Sequence, residues 1–353
     1  MTISAQHRSA RQIILTSNQE SDAVALNELR AVDAGLRLLE WLEPGVAWVE
    51  LSRDWSALVE GLRRRPPIFC RHICPVQADL PLEQAPADLD ALAQVCEGLL
   101  AGLDVGRSFS VQTRLLGAGA WPYGNYDVNL RLADMARATG AVLDVRRPAQ
   151  VLSVALTATH GYLGLSPAAE NLSDWAGGAR RFKREAGQIS RAEFKLLEAL
   201  ELFQLRLPAH GTALDLGAAP GGWTRVLVEH SMQVMAVDPA DLHPQLKAHP
   251  AVQHIRRVAQ AYLPAAQQFD VILDDMRMDA RASAHIMALA AGSLKPGGWA
   301  LVTLKLPHQG MDKVALAALD LLRRHYTIAG ARQLFHNRLE ITVALKGIAL
   351  PPG

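Results

Sequence analysis

Apolar residues along this chain follow two kinds of spacing, one typical of strands and one typical of helices. The order in which these two kinds alternate changes near residue 190. In the first half, short apolar runs of strand character are separated by segments with helical spacing. These runs predict strands at residues 13–16, 45–51, 68–76, 108–115, 141–145, 151–157 and 161–165. The helical spacing predicts helices at residues 21–30, 54–62, 86–102 and 125–139. We therefore expect a mixed helix and sheet region before residue 170.

From residue 190 onward, apolar strands alternate with helices, as a mostly parallel sheet with helices on both faces requires. The expected strands lie at residues 213–216, 234–238, 269–276, 299–306 and 339–345. These patterns predict four regions, which are a small α/β (ferredoxin-like) unit, a second α+β region, a basic linker and a larger α/β domain. Their boundaries are 1–75, 76–170, 171–189 and 190–353.

Composition narrows the classes of protein without choosing among them. A length of 353 residues fits two or three domains, and a net charge of +1 does not indicate a strongly basic nucleic-acid binder. The N-terminus lacks the apolar run of a signal peptide, and no apolar segment is long enough to span a bilayer. We therefore expect a cytoplasmic protein that does not contact membranes and is a monomer.

The three cysteines favour a reducing compartment over a disulfide framework. Cys70 and Cys74 flank His72, which suggests metal ligation. Only Cys96 remains to complete a zinc set, and no histidine-rich pattern follows. We therefore expect no metal and three buried or half-buried thiols.

The most informative stretch is a glycine-rich turn that follows the strand at residues 213–216 and precedes a helix starting near Trp223. Open α/β sheets bind ligands at the carboxyl ends of their strands, where this turn lies. A dinucleotide fingerprint needs a second glycine where this chain has Ala219, and Pro220 removes a backbone donor. Asp215 adds negative charge nearby, so the turn suits the amino group and sulfonium of S-adenosylmethionine better than a pyrophosphate.

An acidic residue, Asp238, ends the second strand about 20 residues after the turn, where nucleotide-binding folds accept hydrogen bonds from ribose hydroxyls. Four more charged residues stand near the carboxyl ends of strands or on the preceding helix: Lys195, Asp275, Lys305 and Glu340. Charged residues that end apolar strands are costly unless they are paired or used. We therefore expect these four side chains to face one crevice.

This set resembles the Lys-Asp-Lys-Glu tetrad of the FtsJ-type ribose 2′-O-methyltransferases. Similar segments span the C-terminal half and include the turn at residues 215–224, Asp275-Met276, the strand end at residues 304–307 and residues 331–343. The resemblance implies a Rossmann-like class I methyltransferase domain and S-adenosyl-L-methionine as cofactor. It further implies an RNA ribose 2′-hydroxyl as the acceptor, in particular a cytidine of 23S ribosomal RNA.

The tetrad suits this reaction because a ribose hydroxyl must lose its proton as it attacks the methyl carbon. A lysine base must be neutral near pH 7, and a neighbouring ammonium and partial burial both lower the pKa of a lysine. Lys305 is the candidate base, and Lys195 is the neighbour that lowers its pKa or orients the hydroxyl. Asp275 and Glu340 would orient the two amines, although their charge opposes that downward shift.

The resemblance also assigns residues to the cofactor. The predicted contacts, several of which lie in the turn, are Ser190, Asp215, Gly217, Ala219, Pro220, Gly221, Gly222, Trp223, Asp238 and Asp275. One position departs from the family, which has an acid after the third strand to accept from the adenine amino group. Here Val258 stands at that place, and Gln260 or a backbone carbonyl is the expected substitute.

The order of strands and helices in residues 76–170 resembles a THUMP domain, an RNA-binding module attached to RNA-modifying enzymes. The following linker carries a basic run, which is either a solvated connector or a contact to RNA phosphates. The residues concerned are Arg180, Arg181, Lys183 and Arg184. We therefore expect an α+β THUMP-like RNA-binding region before the methyltransferase domain.

Two alternative functions remain open. RNA base N-methyltransferases carry an Asn/Asp-Pro-Pro-Tyr segment at the fourth strand, whereas this chain has Asp274, Asp275, Met276 and Arg277 there. A non-catalytic RNA-binding protein with a degenerate methyltransferase fold is opposed by the intact tetrad and weakly favoured by Val258. A ribose 2′-O-methyltransferase is the preferred interpretation.

Overall fold

The computed structural model describes residues 10–263 and 267–348. The chain divides into two compact units, Met1–Arg180 and Arg181–Gly353. None of the helices in the described ranges is both long and apolar enough to cross a membrane.

The first half of the N-terminal unit is a four-stranded antiparallel sheet with strand order β2-β3-β1-β4. Its elements are β1 (Gln12–Thr16), α1 (Asp22–Arg30), β2 (Arg37–Glu43), β3 (Val46–Glu50), α2 (Trp55–Arg64) and β4 (His72–Val76). This β-α-β-β-α-β order is the ferredoxin-like arrangement. Helix α2 begins where the Asp54 carboxylate accepts a hydrogen bond from the Ala57 amide at 2.9 Å.

The second half of this unit is a sheet with strand order β5-β8-β7-β6, in which β6 and β7 are parallel and the other pairs antiparallel. Its elements are β5 (Ala78–Pro81), α3 (Asp88–Leu100), β6 (Phe109–Leu115), α4 (Asn125–Ala138), β7 (Gln150–Leu156) and β8 (His160–Pro167). A core of buried residues from helices and strands, including Leu92, Leu132 and Leu152, holds this half together. The four domain boundaries expected from the sequence stay a prediction.

Two predicted strands of the N-terminal unit are wrong in whole or in part. Residues 141–145 form no strand, because Val142 and Val145 are exposed and only Leu143 makes a single bridge, to Phe109. The strand expected at 68–76 begins at His72 instead. The Glu28 carboxylate accepts hydrogen bonds from the amides of the three residues at 68–70, which satisfies them without a neighbouring strand.

The C-terminal unit contains a seven-stranded sheet with strand order β11-β10-β9-β12-β13-β15-β14. Its first elements are α5 (Ala192–Leu202), β9 (Thr212–Leu216), α6 (Gly222–Glu229), β10 (Gln233–Val237), α7 (Pro244–Lys247) and β11 (Val252–Ile255). They are followed by β12 (Phe269–Asp274), α8 (Ala280–Ala290), β13 (Leu294–Lys305), α9 (Met311–Arg323), β14 (Tyr326–Arg332) and β15 (Glu340–Gly347). Five neighbouring strands are parallel, and β15 is antiparallel to β13 and β14.

The central strands of this sheet are continuously apolar because helices cover both faces. Leu214, Ile272 and Leu301, for example, are fully buried. The strand order reverses direction at β9, since β10 lies on one side of it and β12 on the other. Ligands of open α/β sheets bind at the carboxyl ends of the strands at such a reversal point, which locates the candidate site.

Candidate active site

The turn after β9 is shaped by two glycines with positive φ angles. Gly217 has φ +75° and Gly221 has φ +113°, a backbone region that other residues rarely adopt. A Cβ on Gly217 would lie 2.5 Å from Cγ of Met276, so the turn passes directly against the segment that follows β12. The turn therefore brings bare backbone to the mouth of a cavity with a volume of about 1170 Å³.

Asp238 fixes this turn from the neighbouring strand. Its side chain follows β10 and accepts hydrogen bonds from the amide of Ala219 at 3.1 Å and from the amide of Ala240 at 2.8 Å. The carboxylate also lines the cavity. Since each carboxylate oxygen has two lone pairs, Asp238 retains acceptor capacity for hydroxyl groups of a ligand.

Most of the predicted cofactor residues line this one cavity. They are Ser190, Gly217, Ala219, Pro220, Gly222, Trp223, Asp238 and Asp275. Gly221 does not line it and instead packs towards Leu246, which a Cβ would approach to 2.2 Å. Val258 and Gln260 both line the cavity, so the side chain that replaces the family's acid faces the same space as its expected substitute.

Asp215 lies elsewhere than the sequence suggested. Its side chain is 1% exposed, is absent from the cavity wall and accepts a hydrogen bond from the Thr224 hydroxyl at 2.6 Å. Burial raises the pKa of this carboxyl to about 7. The sequence predicted that the Asp215 charge lies beside the turn. Because side chains alternate between the two faces of a strand, Asp215 instead lies in the core below the turn.

The four charged residues meet in the wall of the same cavity. Nζ of Lys195 lies 2.6 Å from Oε1 of Glu340 and 3.3 Å from Oδ1 of Asp275. Nζ of Lys305 lies 2.6 Å from Oε2 of Glu340 and 2.5 Å from Oδ1 of Asp275. Each ammonium thus contacts both carboxylates, and the cluster of two positive and two negative groups is close to neutral.

Strand geometry explains why these residues converge. Lys305 is the last residue of β13 and Glu340 the first residue of β15, and they lie directly opposite each other in the antiparallel pair. Asp275 follows the last residue of β12, which is parallel to β13. Helix α5 supplies Lys195 from outside the sheet. The sheet therefore fixes three of the four side chains through its backbone.

The sequence left the net direction of the Lys305 pKa open, and the geometry of the tetrad raises this pKa. Burial lowers the pKa of Lys305, but the neighbouring Asp275 and Glu340 carboxylates raise it by more, so it lies above the ordinary value. For both carboxyls, burial raises the pKa and the Lys305 and Lys195 ammonium groups lower it by more, so both pKa values are depressed. All three groups are therefore charged near pH 7.

The C-terminal domain and much of the chain are similar to known methyltransferases. Residues 188–295 match the family of FtsJ-like methyltransferases. The chain is 32% identical over 226 residues to ribosomal RNA large subunit methyltransferase M of Azotobacter vinelandii, covering 60% of this chain and 63% of that protein. It is 33% identical over 250 residues to the Xylella fastidiosa (strain M12) protein of the same name, covering 63% of this chain and 68% of that protein.

The chain belongs to the ribosomal RNA large subunit methyltransferase M family. It spans between half and two thirds of the length of the first curated relatives it matches, as for the Laribacter hongkongensis protein, of which it covers 51% at 34% identity. Among solved structures, TrmN from Thermus thermophilus is similar at 20% identity with a TM-score of 0.40, over 96% of this chain and 99% of that one. Membership confirms the resemblance to FtsJ-type enzymes and the Rossmann-like, S-adenosylmethionine-dependent methyltransferase fold.

Two residues of this family member support the tetrad but were missed in the sequence. The Thr303 hydroxyl donates to Oδ1 of Asp275 at 2.5 Å and accepts from Nζ of Lys305 at 2.6 Å. Nδ2 of Asn337 donates to Oε1 of Glu340 at 3.2 Å. The signal for Thr303 was its place two residues before Lys305, on the same face of β13. Asn337 lies in a loop and carried no such signal.

The loop that carries Asn337 is anchored from α5. The buried Glu198 carboxylate accepts hydrogen bonds from the amides of Phe335 at 2.7 Å and His336 at 3.0 Å. Oδ1 of Asn337 accepts from the Leu334 amide at 2.8 Å. Helix α5 therefore supplies both Lys195 and the carboxylate that holds the loop preceding Glu340.

The remaining sequence-predicted groups lie outside this cavity. Arg181, Lys183 and Arg184 are exposed residues of the C-terminal unit, whereas Arg180 ends the N-terminal unit with its guanidinium 4.3 Å from the centre of the Trp175 ring. Their role in RNA binding stays a prediction. All three cysteines are buried and unlinked, and no cluster of potential metal ligands occurs within residues 10–263 and 267–348.

Asp274, at the end of β12, makes stability depend on pH. Burial raises its pKa from 3.8 to about 7, so the folded state binds this proton more tightly than the unfolded chain and loses stability as pH rises between those values. Asp274→Asn mimics the protonated form and is expected to remove that loss, roughly 2 kcal/mol between pH 5 and pH 8. Urea denaturation at both pH values, followed by tryptophan fluorescence, measures it. Equal pH dependence in parent and variant would mean that Asp274 is ionised in the fold.

Proposed function

We propose that this chain transfers a methyl group from S-adenosylmethionine to a ribose 2′-hydroxyl of large-subunit ribosomal RNA. The observation that carries the proposal is the meeting of two lysines and two carboxylates in the wall of the cavity lined by the glycine turn. The resemblance to FtsJ-type enzymes that act on 23S ribosomal RNA favours a cytidine as the target nucleotide, methylated in the cytoplasm.

The residues of the cavity fit this cofactor. Asp238 presents carboxylate oxygens at the position where ribose hydroxyls bind in such folds. The turn around Pro220 offers few amide donors for a pyrophosphate, because proline has no backbone N–H. When bound, S-adenosylmethionine supplies an activated methyl carbon, and its adenine would lie towards Val258 and Gln260.

The tetrad supplies a place for the attacking hydroxyl. Lys305 and Lys195 bracket the two carboxylates, so a hydroxyl that enters between the two Nζ atoms finds a hydrogen-bond donor in the Lys195 ammonium and a proton acceptor in the deprotonated form of Lys305. Asp275 and Glu340 hold the two Nζ atoms in place. Neutral Lys305 would take the hydroxyl proton as the oxygen gains the methyl carbon and the sulfonium leaves as a thioether, and the two carboxylates would stabilise the resulting ammonium. Fixing both reactants in this way lowers the entropic part of the barrier.

The N-terminal unit is proposed to dock the RNA. Its two sheets, of residues 12–76 and 78–167, would correspond to a ferredoxin-like unit at 1–75 and a THUMP-like domain at 76–170, joined to the catalytic domain by the basic linker at 171–189. Base methylation has less support, because Asp275 is engaged by two lysines and no Pro-Pro-aromatic segment follows it.

The proposal predicts a single ribose methylation on ribosomal RNA. Full-length protein is incubated with S-adenosylmethionine and an unmodified transcript of the large-subunit RNA, and nuclease fragments are analysed by mass spectrometry. We expect one nucleoside, a cytidine, to gain a methyl group on its ribose, and the same site to lose it in cells that lack the protein. A methyl group on a base, or none on any fragment, would refute the proposed function.

A further inference from the structure

A second cleft of about 1080 Å³ adjoins the tetrad at Lys305. It shares Arg277, Met278 and Lys305 with the cofactor cavity, so the two spaces meet at the candidate base. Its walls are formed by the segment after β12, the start of α8, the end of β13 and the start of α9. Nothing in the proposed cofactor site accounts for this cleft.

Three cations line the cleft and have no carboxylate partner within residues 10–263 and 267–348. Arg277, Arg281 and Lys313 are exposed, and none of their side chains forms an ion pair or hydrogen bond with a residue in the described ranges. By contrast, Lys295 of the same unit pairs with Asp270 at 2.8 Å. Unpaired cations that surround a concave surface create a positive potential suited to phosphate groups.

The one carboxylate in the cleft does not offset these cations by pairing with them. Oδ1 of Asp279 accepts hydrogen bonds from the amides of Arg281 at 3.1 Å and Ala282 at 3.0 Å, which caps the N-terminus of α8. Its charge therefore faces the helix terminus. The cleft keeps an excess of positive charge at the side chains of Arg277, Arg281 and Lys313.

Between these cations the cleft wall is apolar. Leu306 and Pro307 follow directly after Lys305, and Val314 faces them from α9. An apolar surface next to the hydroxyl-activating lysine suits the face of a nucleobase, and single-stranded RNA exposes such faces. A duplex would keep its bases stacked and its riboses away from the bottom of the cleft.

We propose that this cleft binds the acceptor strand as single-stranded RNA, which rests on the function proposed above. The target base packs on Leu306, Pro307 and Val314, and its ribose extends to Lys305. The flanking phosphates contact Arg277, Arg281 and Lys313. The cleft thereby selects a looped-out or unpaired nucleotide, while the cofactor cavity selects only the methyl donor.

The double variant Arg281→Ala/Lys313→Ala tests this proposal, because neither side chain lines the cofactor cavity. Binding of full-length protein to a 12-nucleotide single-stranded oligoribonucleotide is measured by fluorescence anisotropy over a range of salt concentrations. We expect affinity to fall at least about tenfold and the slope of log K against log salt to shrink by roughly 1.4, since each single-strand phosphate contact contributes about 0.7. Calorimetric binding of S-adenosylmethionine should remain unchanged.

Lys346→Ala is the matched control. Lys346 is an exposed cation of the same sheet, opposite Trp299 and thus at the other end of β13 from Lys305. It should leave both affinity and salt slope unchanged. Parental binding by the double variant, or equal competition by an RNA duplex or by poly-glutamate, would overturn the proposal. If parent protein binds the oligonucleotide as expected but methylates no ribosomal RNA, the proposed function fails while the cleft assignment stands.

Discussion

Lys305→Ala is expected to slow methyl transfer by roughly a hundredfold to ten-thousandfold, the usual contribution of a general base. The variant removes the only tetrad lysine that contacts Asp275, Glu340 and Thr303 together. Because the proposed role of Lys305 is to accept the proton of the acceptor hydroxyl, the loss should appear in kcat. Single-turnover transfer of a labelled methyl group to ribosomal RNA measures it, with S-adenosylmethionine affinity determined in parallel.

Lys305→Arg separates the two ways in which this lysine can act. Arginine keeps the positive charge between Asp275 and Glu340 but cannot lose its proton near neutral pH. If Lys305 is the base, the arginine variant should be as inactive as the alanine variant while retaining more of the parent's stability. Substantial activity in Lys305→Arg would mean that only the charge matters and would contradict the assignment of the base.

The raised pKa of Lys305 adds a second readout of the same role. A lysine whose pKa lies above its ordinary value is neutral in fewer than about one molecule in a thousand at pH 7. If the reaction requires that neutral form, the single-turnover rate should climb about tenfold per pH unit between pH 7 and pH 9. A rate that does not change over this range would favour a charged lysine that only orients the hydroxyl.

The convergence of the tetrad was predictable, whereas its electrostatics were not. Lys305 and Asp275 stand at the ends of apolar strands. The carboxyl ends of parallel strands lie at the same edge of a sheet, independently of the conformation of the connecting loops. The direction of the Lys305 pKa depends on distances of 2.5 and 2.6 Å to two carboxylates, which no sequence pattern fixes. Sequence spacing indicated which charged groups meet. Only their distances show that the two carboxylates outweigh burial in setting the pKa of Lys305.

The strands that escaped prediction share a physical cause. In β2 (Arg37–Glu43) no residue is fully buried, and it lies at the edge of its sheet. The edge strand β14 (Tyr326–Arg332) is likewise mostly half-buried or exposed. Without a buried face, neither segment needs the alternation of apolar and polar residues that reveals a strand. Conversely, the valines at 142 and 145 imitate that alternation but remain exposed.

The same reasoning explains why Asp215 was misplaced and Asp238 was not. Asp215 lies within β9, where alternation decides which face of the sheet a side chain reaches, and its hydrogen bond to Thr224 is internal. Asp238 lies just beyond β10, where the chain leaves the sheet and the side chain faces the ligand edge. Position relative to the strand end therefore separates an acid buried in the core from one that lines the cavity.

Asp238→Ala is expected to weaken binding of S-adenosylmethionine about a hundredfold with a smaller effect on kcat. The variant removes the proposed acceptor for ribose hydroxyls and also the carboxylate that holds the amides of Ala219 and Ala240. Two charge-assisted hydrogen bonds at about 1.5 kcal/mol each account for a loss of that size. Isothermal titration calorimetry with the full-length protein measures it directly.

Two companion variants make this result specific. Asp241 lines the same cavity but pairs with Lys247 at 3.1 Å and Arg256 at 2.5 Å, so Asp241→Ala should change cofactor affinity by less than about threefold. Asp238→Asn should resemble Asp238→Ala, because one side-chain oxygen cannot accept from both amides and the new amide group would face an N–H donor. Parental affinity in Asp238→Ala would place the ribose elsewhere. A loss of kcat with unchanged affinity would instead link Asp238 to the tetrad in the wall of the same cavity.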